Sequence, residues 1–276
     1  MKNRLVKLFL TAVTTGLLLT GCGADNSKQQ VADNTFKVGM EAGYAPWNWT
    51  QLDDSNGGVK IDGASEYAGG YDVVIAKRIA EGLGKELVIV KTEWDGLVPA
   101  LVSGKIDAII GGMSPTAERK ETIDFSKSYY KSNLVMLVKN DGKYVNAKTL
   151  SDFSGAKITG QLNTFHYTVI DQIPGVNKQP AMDNFPAMRV ALESGVIDGY
   201  VTERPEGVSA QLANSNFKMV EFTDGFVTSP EDTEIAVGLR KGYELTDKIN
   251  SIIDGISDEE RLQIMDDVIK VQPAAL

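Results

Sequence analysis

Residues 106–130, IDAIIGGMSPTAERKETIDFSKSYY, decide the fold. The run Ile106, Ala108, Ile109, Ile110 reads as a buried strand that stops at a Gly-Gly turn and enters a short helix. Thr116 suits the N-cap of that helix, and Glu118 places a carboxylate in its first turn. The strand end therefore gathers free backbone N–H groups, the Ser114 hydroxyl and the Arg119 guanidinium. Glycine lets a ligand approach the backbone, exposed amides favour negative charge, and arginine grips two oxygens at once. This is chemistry for holding a carboxylate or phosphate, not for breaking a bond.

The elements before this stretch alternate. Phe36–Met40 is a short strand and 41–49 a loop; 71–81 has helical spacing (Val73, Val74, Ala76, Lys77, Ala80) ended by Gly82 and Gly84. Leu87–Val90 is a second strand, and Trp94–Val102 holds a loop and a helix. The order β-α-β-α-β predicts parallel strands covered by helices, with ligands beyond the carboxyl ends of the strands. Glu41, Tyr44, Trp94, Gly112 and Ser114 all fall at that edge. The polar, glycine-rich segment 51–70 is long for a connection and reads as an inserted hairpin or the edge of a lid.

A second α/β unit follows an apolar strand at Lys131–Lys139. Its strands are 156–159, 197–203 and 217–222. Its helices are 184–193 and 204–213, and Gln161-Leu162-Asn163-Thr164-Phe165 is a turn into a further helix. The strand 234–239 then returns to the first unit. The segment 243–269 is helical and broken near Gly255-Ile256-Ser257. Two crossings, near 131–136 and 228–234, make a hinge.

Composition narrows the function. A chain of 276 residues, 42% hydrophobic, suffices for one large domain or two small lobes. A formal net charge of -9 argues against nucleic acid or an anionic membrane surface as partner. Lys2, Arg4 and Lys7 precede an apolar run at Leu8–Leu19 that is too short for an ordinary membrane span, so residues 1–21 read as a signal peptide. Leu19-Thr20-Gly21-Cys22 looks like a lipobox, with the chain's single cysteine as the lipidated residue. Residues 22–35 then form a polar tether.

The strand, the Gly-Gly-x-Ser turn, Thr116-x-x-Arg119, Ile123-Asp124-Phe125-Ser126 and Tyr129-Tyr130 together resemble family 3 solute-binding proteins, the amino-acid receptors of bacterial ABC importers. The resemblance runs from Phe36 to Ile269. It implies the α/β, two-lobe, type II periplasmic-binding-protein fold, with lobe 1 at 36–130 and 232–276 and lobe 2 at 131–231. It further implies a monomer without cofactor or metal, held outside the cytoplasm by a lipid on Cys22 and serving an ABC permease subunit and its ATPase.

The resemblance also assigns roles. Arg119 would pair with the ligand α-carboxylate, helped by Ser114 and by Thr164 from the other lobe. The Gly112 carbonyl and Glu203 would take the α-ammonium, and Tyr44 and Trp94 would wall the side chain. Glu41 would face the distal end of the side chain. Gln161, Asn163, Met113 and Phe165 complete the set. Asn163 stands where the family has glycine, and asparagine tolerates the left-handed geometry. Glu203 replaces the commoner aspartate, one methylene shorter.

Plainer roles compete with these. Glu203 would cap the helix at Arg204; Asp198 would serve a turn; one of Trp47 and Trp49 would be core. His166, the chain's single histidine, reads as a helix-surface residue.

A carboxylate at Glu41 in an aromatic pocket favours a cation, so arginine, lysine or histidine is the expected ligand. Glutamine stays open, because a carboxylate also accepts from an amide, while an acidic ligand would set like charges together. Two rival classes are an enzyme on the same scaffold, such as a dehydratase with Glu203 or Glu41 as acid or base, and a sensor that signals without transport. The sequence offers no Ser-His-Asp arrangement and no metal cluster for the first, and no kinase or channel segment for the second.

Overall fold

The structure, a computed structural model, describes residues 34–273. The signal peptide, the lipobox with Cys22 and all but the end of the tether lie outside the described residues. The tether ends earlier than the sequence suggests, since Thr35 already pairs with Glu86.

The first half opens with β1 (Thr35–Met40), β2 (Gly43–Tyr44), β3 (Asn48–Gln51), β4 (Val59–Lys60) and β5 (Tyr67–Gly69). Then come α1 (Tyr71–Leu83), β6 (Glu86–Lys91), α2 (Trp94–Val102), β7 (Ala108–Ile109), α3 (Ala117–Thr122) and β8 (Asp124–Lys131). Val73, Ile75, Ala76, Ile79 and Ala80 put one face of α1 into the core. Each large aliphatic side chain so buried contributes about 1.5–3 kcal/mol. Gly84 closes α1 in the left-handed conformation, its N–H reaching the carbonyls of Ala80 and Glu81.

The second half contains β9 (Leu134–Lys139), β10 (Lys157–Thr159), α4 (Phe165–Thr168), β11 (Asn177–Lys178) and α5 (Phe185–Glu193). It continues through β12 (Gly199–Glu203), α6 (Arg204–Ala213) and β13 (Phe217–Val220). The chain then returns through β14 (Glu234–Leu239) and ends in α7 (Thr246–Asp254) and α8 (Asp258–Val271).

Two five-stranded sheets result, ordered β6-β1-β7-β14-β8 and β11-β10-β12-β9-β13. In each, three strands run parallel and a fourth runs against them. That fourth strand is the one arriving from the other half: β14 lies between β7 and β8, and β9 between β12 and β13. The two crossings touch, with Ser132 N–H donating to the Thr233 carbonyl at 2.9 Å.

Three readings change. The apolar run 131–139 is not one strand, because Lys131 ends β8 and Leu134 begins β9. The strand β8 was not evident, since its burial does not alternate cleanly. The strand expected from Ile106 is ordered only at Ala108–Ile109. Segment 51–70 is the hairpin β3–β5 with β4 added, in a four-stranded sheet with β2. It docks on the edge strand β6, where Ile61 bridges Ile89.

Candidate ligand cleft

The carboxyl ends of the parallel strands carry the site. Glu41 follows β1, Trp94 lies beyond β6, and Gly112 and Ser114 follow β7. From the other sheet, Gln161, Asn163 and Thr164 follow β10, and Glu203 ends β12. Main-chain direction alone thus aims two sets of polar groups at one cleft.

The Gly112 turn is held from below. Gly112 has φ +66°, and a Cβ there would lie 2.9 Å from Tyr44 Cε1, so both conformation and space demand glycine. Asp72, wholly buried at the start of α1, accepts from Asn48 Nδ2 at 2.8 Å, from the Tyr129 hydroxyl at 2.7 Å and from the Gly112 backbone. Burial pushes its pKa up to about 7 despite these bonds.

Thr116 caps α3, its hydroxyl accepting from Arg119 N–H at 3.4 Å. The Arg119 guanidinium donates to the Ser114 carbonyl at 2.9 Å and, from the opposite half, to the Asn163 carbonyl at 3.2 Å. Trp94 stacks 5.0 Å from that guanidinium, so its face serves Arg119. Burial lowers the Arg119 pKa to about 10, with Glu118 and Asp232 opposing, and the group stays cationic at neutral pH. The Ser114 hydroxyl is turned to the Asp232 carbonyl at 2.8 Å, away from the anion grip expected of it. Thr164 donates to the Gln161 carbonyl at 2.7 Å. Asn163 adopts φ +55°, the left-handed geometry that asparagine tolerates.

Two buried carboxylates, Glu41 and Glu203, stand at strand ends without a cationic partner among the described residues. Glu41 accepts from Gln161 Nε2 at 3.2 Å on each oxygen, and burial raises its pKa to about 7, with Glu93 and Asp95 adding repulsion. Glu203 accepts from the Tyr44 hydroxyl, and burial raises its pKa to about 8. Among the described residues, neither carboxylate meets a lysine or arginine side chain. Glu203 starts α6 yet makes no side-chain cap, so the capping role is excluded. Asp198 is the turn residue expected, accepting from Lys157 N–H at 2.8 Å.

Other residues move from their expected places. His166 is 4% exposed, not on a helix surface; its ring sits beside Phe165 and Phe185. A four-residue helix gives no periodicity from which this could be read. Both Trp47 and Trp49 are core, where one was expected; Trp47 packs edge-on against Tyr71 and Tyr130. Met113 is buried with Leu97 and Ile123 and borders the cleft mouth. Phe185, not singled out from sequence, crosses the cleft to stack on Tyr44 with centroids 4.0 Å apart. The signal was Asn184 ahead of Phe-Pro, an N-cap that fixes where α5 begins and hence where Phe185 points.

The halves are drawn together. Tyr44, Gly112, Arg119, Gln161, Thr164, Phe165 and His166 surround a cavity of about 10 Å³, room for at most one water. Seating an amino acid there requires the sheets to part. A wider cleft of about 800 Å³ opens beside it, lined by Trp94, Thr116, Arg119, Asn163 and Tyr167 among others.

Residues 36–267 match the family described as bacterial extracellular solute-binding proteins, family 3. A probable histidine-binding protein of Campylobacter jejuni is 35% identical over 223 residues, 74% of this chain and 80% of that protein. The arginine-binding extracellular protein ArtP of Bacillus subtilis is 27% identical over 261 residues, 93% of this chain and 94% of that protein. A crystal structure of an amino acid ABC transporter substrate-binding protein from Streptococcus pneumoniae bound to L-arginine superimposes with a TM-score of 0.74 at 26% identity. It covers 86% of this chain and 94% of that one. The fold is the type II periplasmic-binding-protein fold, and the chain belongs to the bacterial extracellular solute-binding proteins of family 3.

Proposed function

We propose that this chain captures an L-amino acid with a cationic side chain between its two halves and delivers it to an ABC permease. One observation carries the reading. Arg119, Glu41 and Glu203 converge at the carboxyl ends of strands from both sheets, and neither carboxylate has a cationic partner among the described residues. A zwitterion with a positive side chain supplies what each lacks: a carboxylate for Arg119, an ammonium for Glu203 and a second cation for Glu41. The names of the relatives, histidine-binding and arginine-binding, support the same class.

In this reading lobe 1 is 36–130 with 232–276, lobe 2 is 131–231, and the paired crossings at Ser132 and Thr233 are the hinge. The site comprises Glu41, Tyr44, Trp94, Gly112, Met113, Ser114, Arg119, Gln161, Asn163, Thr164, Phe165 and Glu203. The chain acts as a monomeric binder and not as a catalyst. A lipid on Cys22 anchors it; among the described residues no helix is long and apolar enough to cross a membrane. One observation favours a polar neutral ligand as the second reading: the Gln161 amide already seats its NH₂ against both oxygens of Glu41.

Calorimetric titration of the chain with each standard amino acid tests the proposal. Arginine, lysine or histidine should bind tightest. Glutamine as the best ligand would replace the first reading with the second, and no binding by any amino acid would overturn both. Cys22→Ser should release the protein from membranes; retention would count against the anchor.

A further inference from the structure

His166 has no place in the roles above, yet it is buried in the cleft. We propose that His166 is the positioning residue of the ammonium subsite: its Nε2–H anchors one oxygen of Glu203, holding that carboxylate ready for the ligand α-ammonium. The inference rests on the reading of Glu203 as the ammonium partner.

The geometry is specific. His166 Nε2 stands 3.0 Å from Glu203 Oε1. The contact lies off the hydrogen-bond line, and among the described residues neither atom has another polar partner, so rotation of the ring or the carboxylate would complete the bond. The other oxygen, Oε2, is met by the Tyr44 hydroxyl from the opposite half. The His166 ring borders the small cavity shared with Gly112 and Arg119, and Phe165 and Phe185 fix its plane.

The longer side chain explains the need. A glutamate has one more rotatable bond than an aspartate, so placing its carboxylate costs more entropy unless something holds it. A lysine or arginine brace would also hold it, but would neutralise the charge meant for the ligand. The imidazole does not. Burial and the Arg119 charge push its pKa down to about 3, so the ring is neutral and carries a single N–H. The charged and titratable groups around the pair are Arg119, Glu206 and Tyr44.

The test compares His166→Gln, which keeps an N–H donor, with His166→Met, which has similar bulk and none. Each is titrated with arginine and with desamino-arginine, which lacks the α-ammonium. His166→Met should lose about tenfold in arginine affinity with little change for desamino-arginine, and His166→Gln should stay within about threefold of the parent for both. Equal losses for the two ligands, or no loss for either, would overturn the proposal. A parent chain that binds none of arginine, lysine and histidine would instead overturn the functional reading, and this inference with it. If neither variant folds, nitrogen-15 spectra of the parent decide, because His166 is the chain's single histidine. With arginine bound, the ring should be the neutral Nε2–H tautomer from about pH 5 to about pH 8. The Nδ1–H tautomer or an imidazolium would refute the anchor.

Discussion

Glu203 and Glu206 lie three residues apart and are both buried, yet their surroundings are opposite. Glu206 receives Arg189 through Nε at 3.1 Å and Nη2 at 2.8 Å, and the Tyr200 hydroxyl at 2.9 Å. That charge is matched inside the protein, and the cluster ties α5, β12 and α6 together. Glu203, one helical turn earlier, has a hydroxyl and a neutral imidazole but, among the described residues, no cation. A buried carboxylate that is paired belongs to the scaffold. One that is held but unpaired costs stability until a ligand brings the missing charge.

The comparison breaks hardest at its scaffold member. Glu206→Ala strands the buried Arg189 charge and should destabilise the chain by about 3–5 kcal/mol in denaturant titration. Unchanged stability would mean that the pair is not structural. Arg119→Ala should leave the fold intact and remove about 2–5 kcal/mol of amino-acid binding, read by calorimetry. Undiminished affinity would remove Arg119 from the site.

The unpaired members should respond the other way. Glu203→Gln should lower arginine affinity by about tenfold or more while the ligand-free melting temperature at pH 8 holds or rises. Glu41→Gln should narrow the preference for arginine over glutamine; an unaltered preference would detach Glu41 from the ligand side chain.

The comparison also extends to pH dependence. Glu41 and Glu203 have folded pKa values of about 7 and about 8, raised by burial above an ordinary 4.5, and Asp72 rises from 3.8 to about 7. Groups with raised values bind more protons folded than unfolded across that interval. Their contribution is therefore complete below the ordinary values and is lost as pH rises through the folded ones. Thermal melts of the ligand-free chain should drift down from about pH 4.5 to about pH 8, and Glu203→Gln with Glu41→Gln should flatten the drift. Affinity for a cation should move oppositely, strengthening as the carboxylates ionise. A flat melting profile in the parent would count against both assignments.

Much of the first half was legible. The turn at Gly111-Gly112, the Thr116 cap and the helix from Tyr71 follow from local rules: a glycine at φ +66°, a hydroxyl within reach of an N–H, an apolar face every third or fourth residue. The strand ends could be placed from β-α-β order, which located Glu41, Gly112 and Glu203 before any distance was known. What escaped was orientation in short elements. Four residues of helix do not say whether His166 faces in or out, and the uneven burial of β8 hides a strand. The Ser114 hydroxyl had two directions open, and only the arrival of Asp232 on the returning chain turned it aside.

The sequence by itself determined two α/β units and the residues at their strand ends, because propensity, capping and hydrophobic period act over a few neighbouring positions. Tertiary structure decided which charges are matched. Phe185 reaches Tyr44, Gln161 reaches Glu41 and His166 reaches Glu203 only when segments far apart in the chain, or lying on different elements, are packed together. The cost of a buried charge depends on that packing, so no local pattern could have separated Glu203 from Glu206.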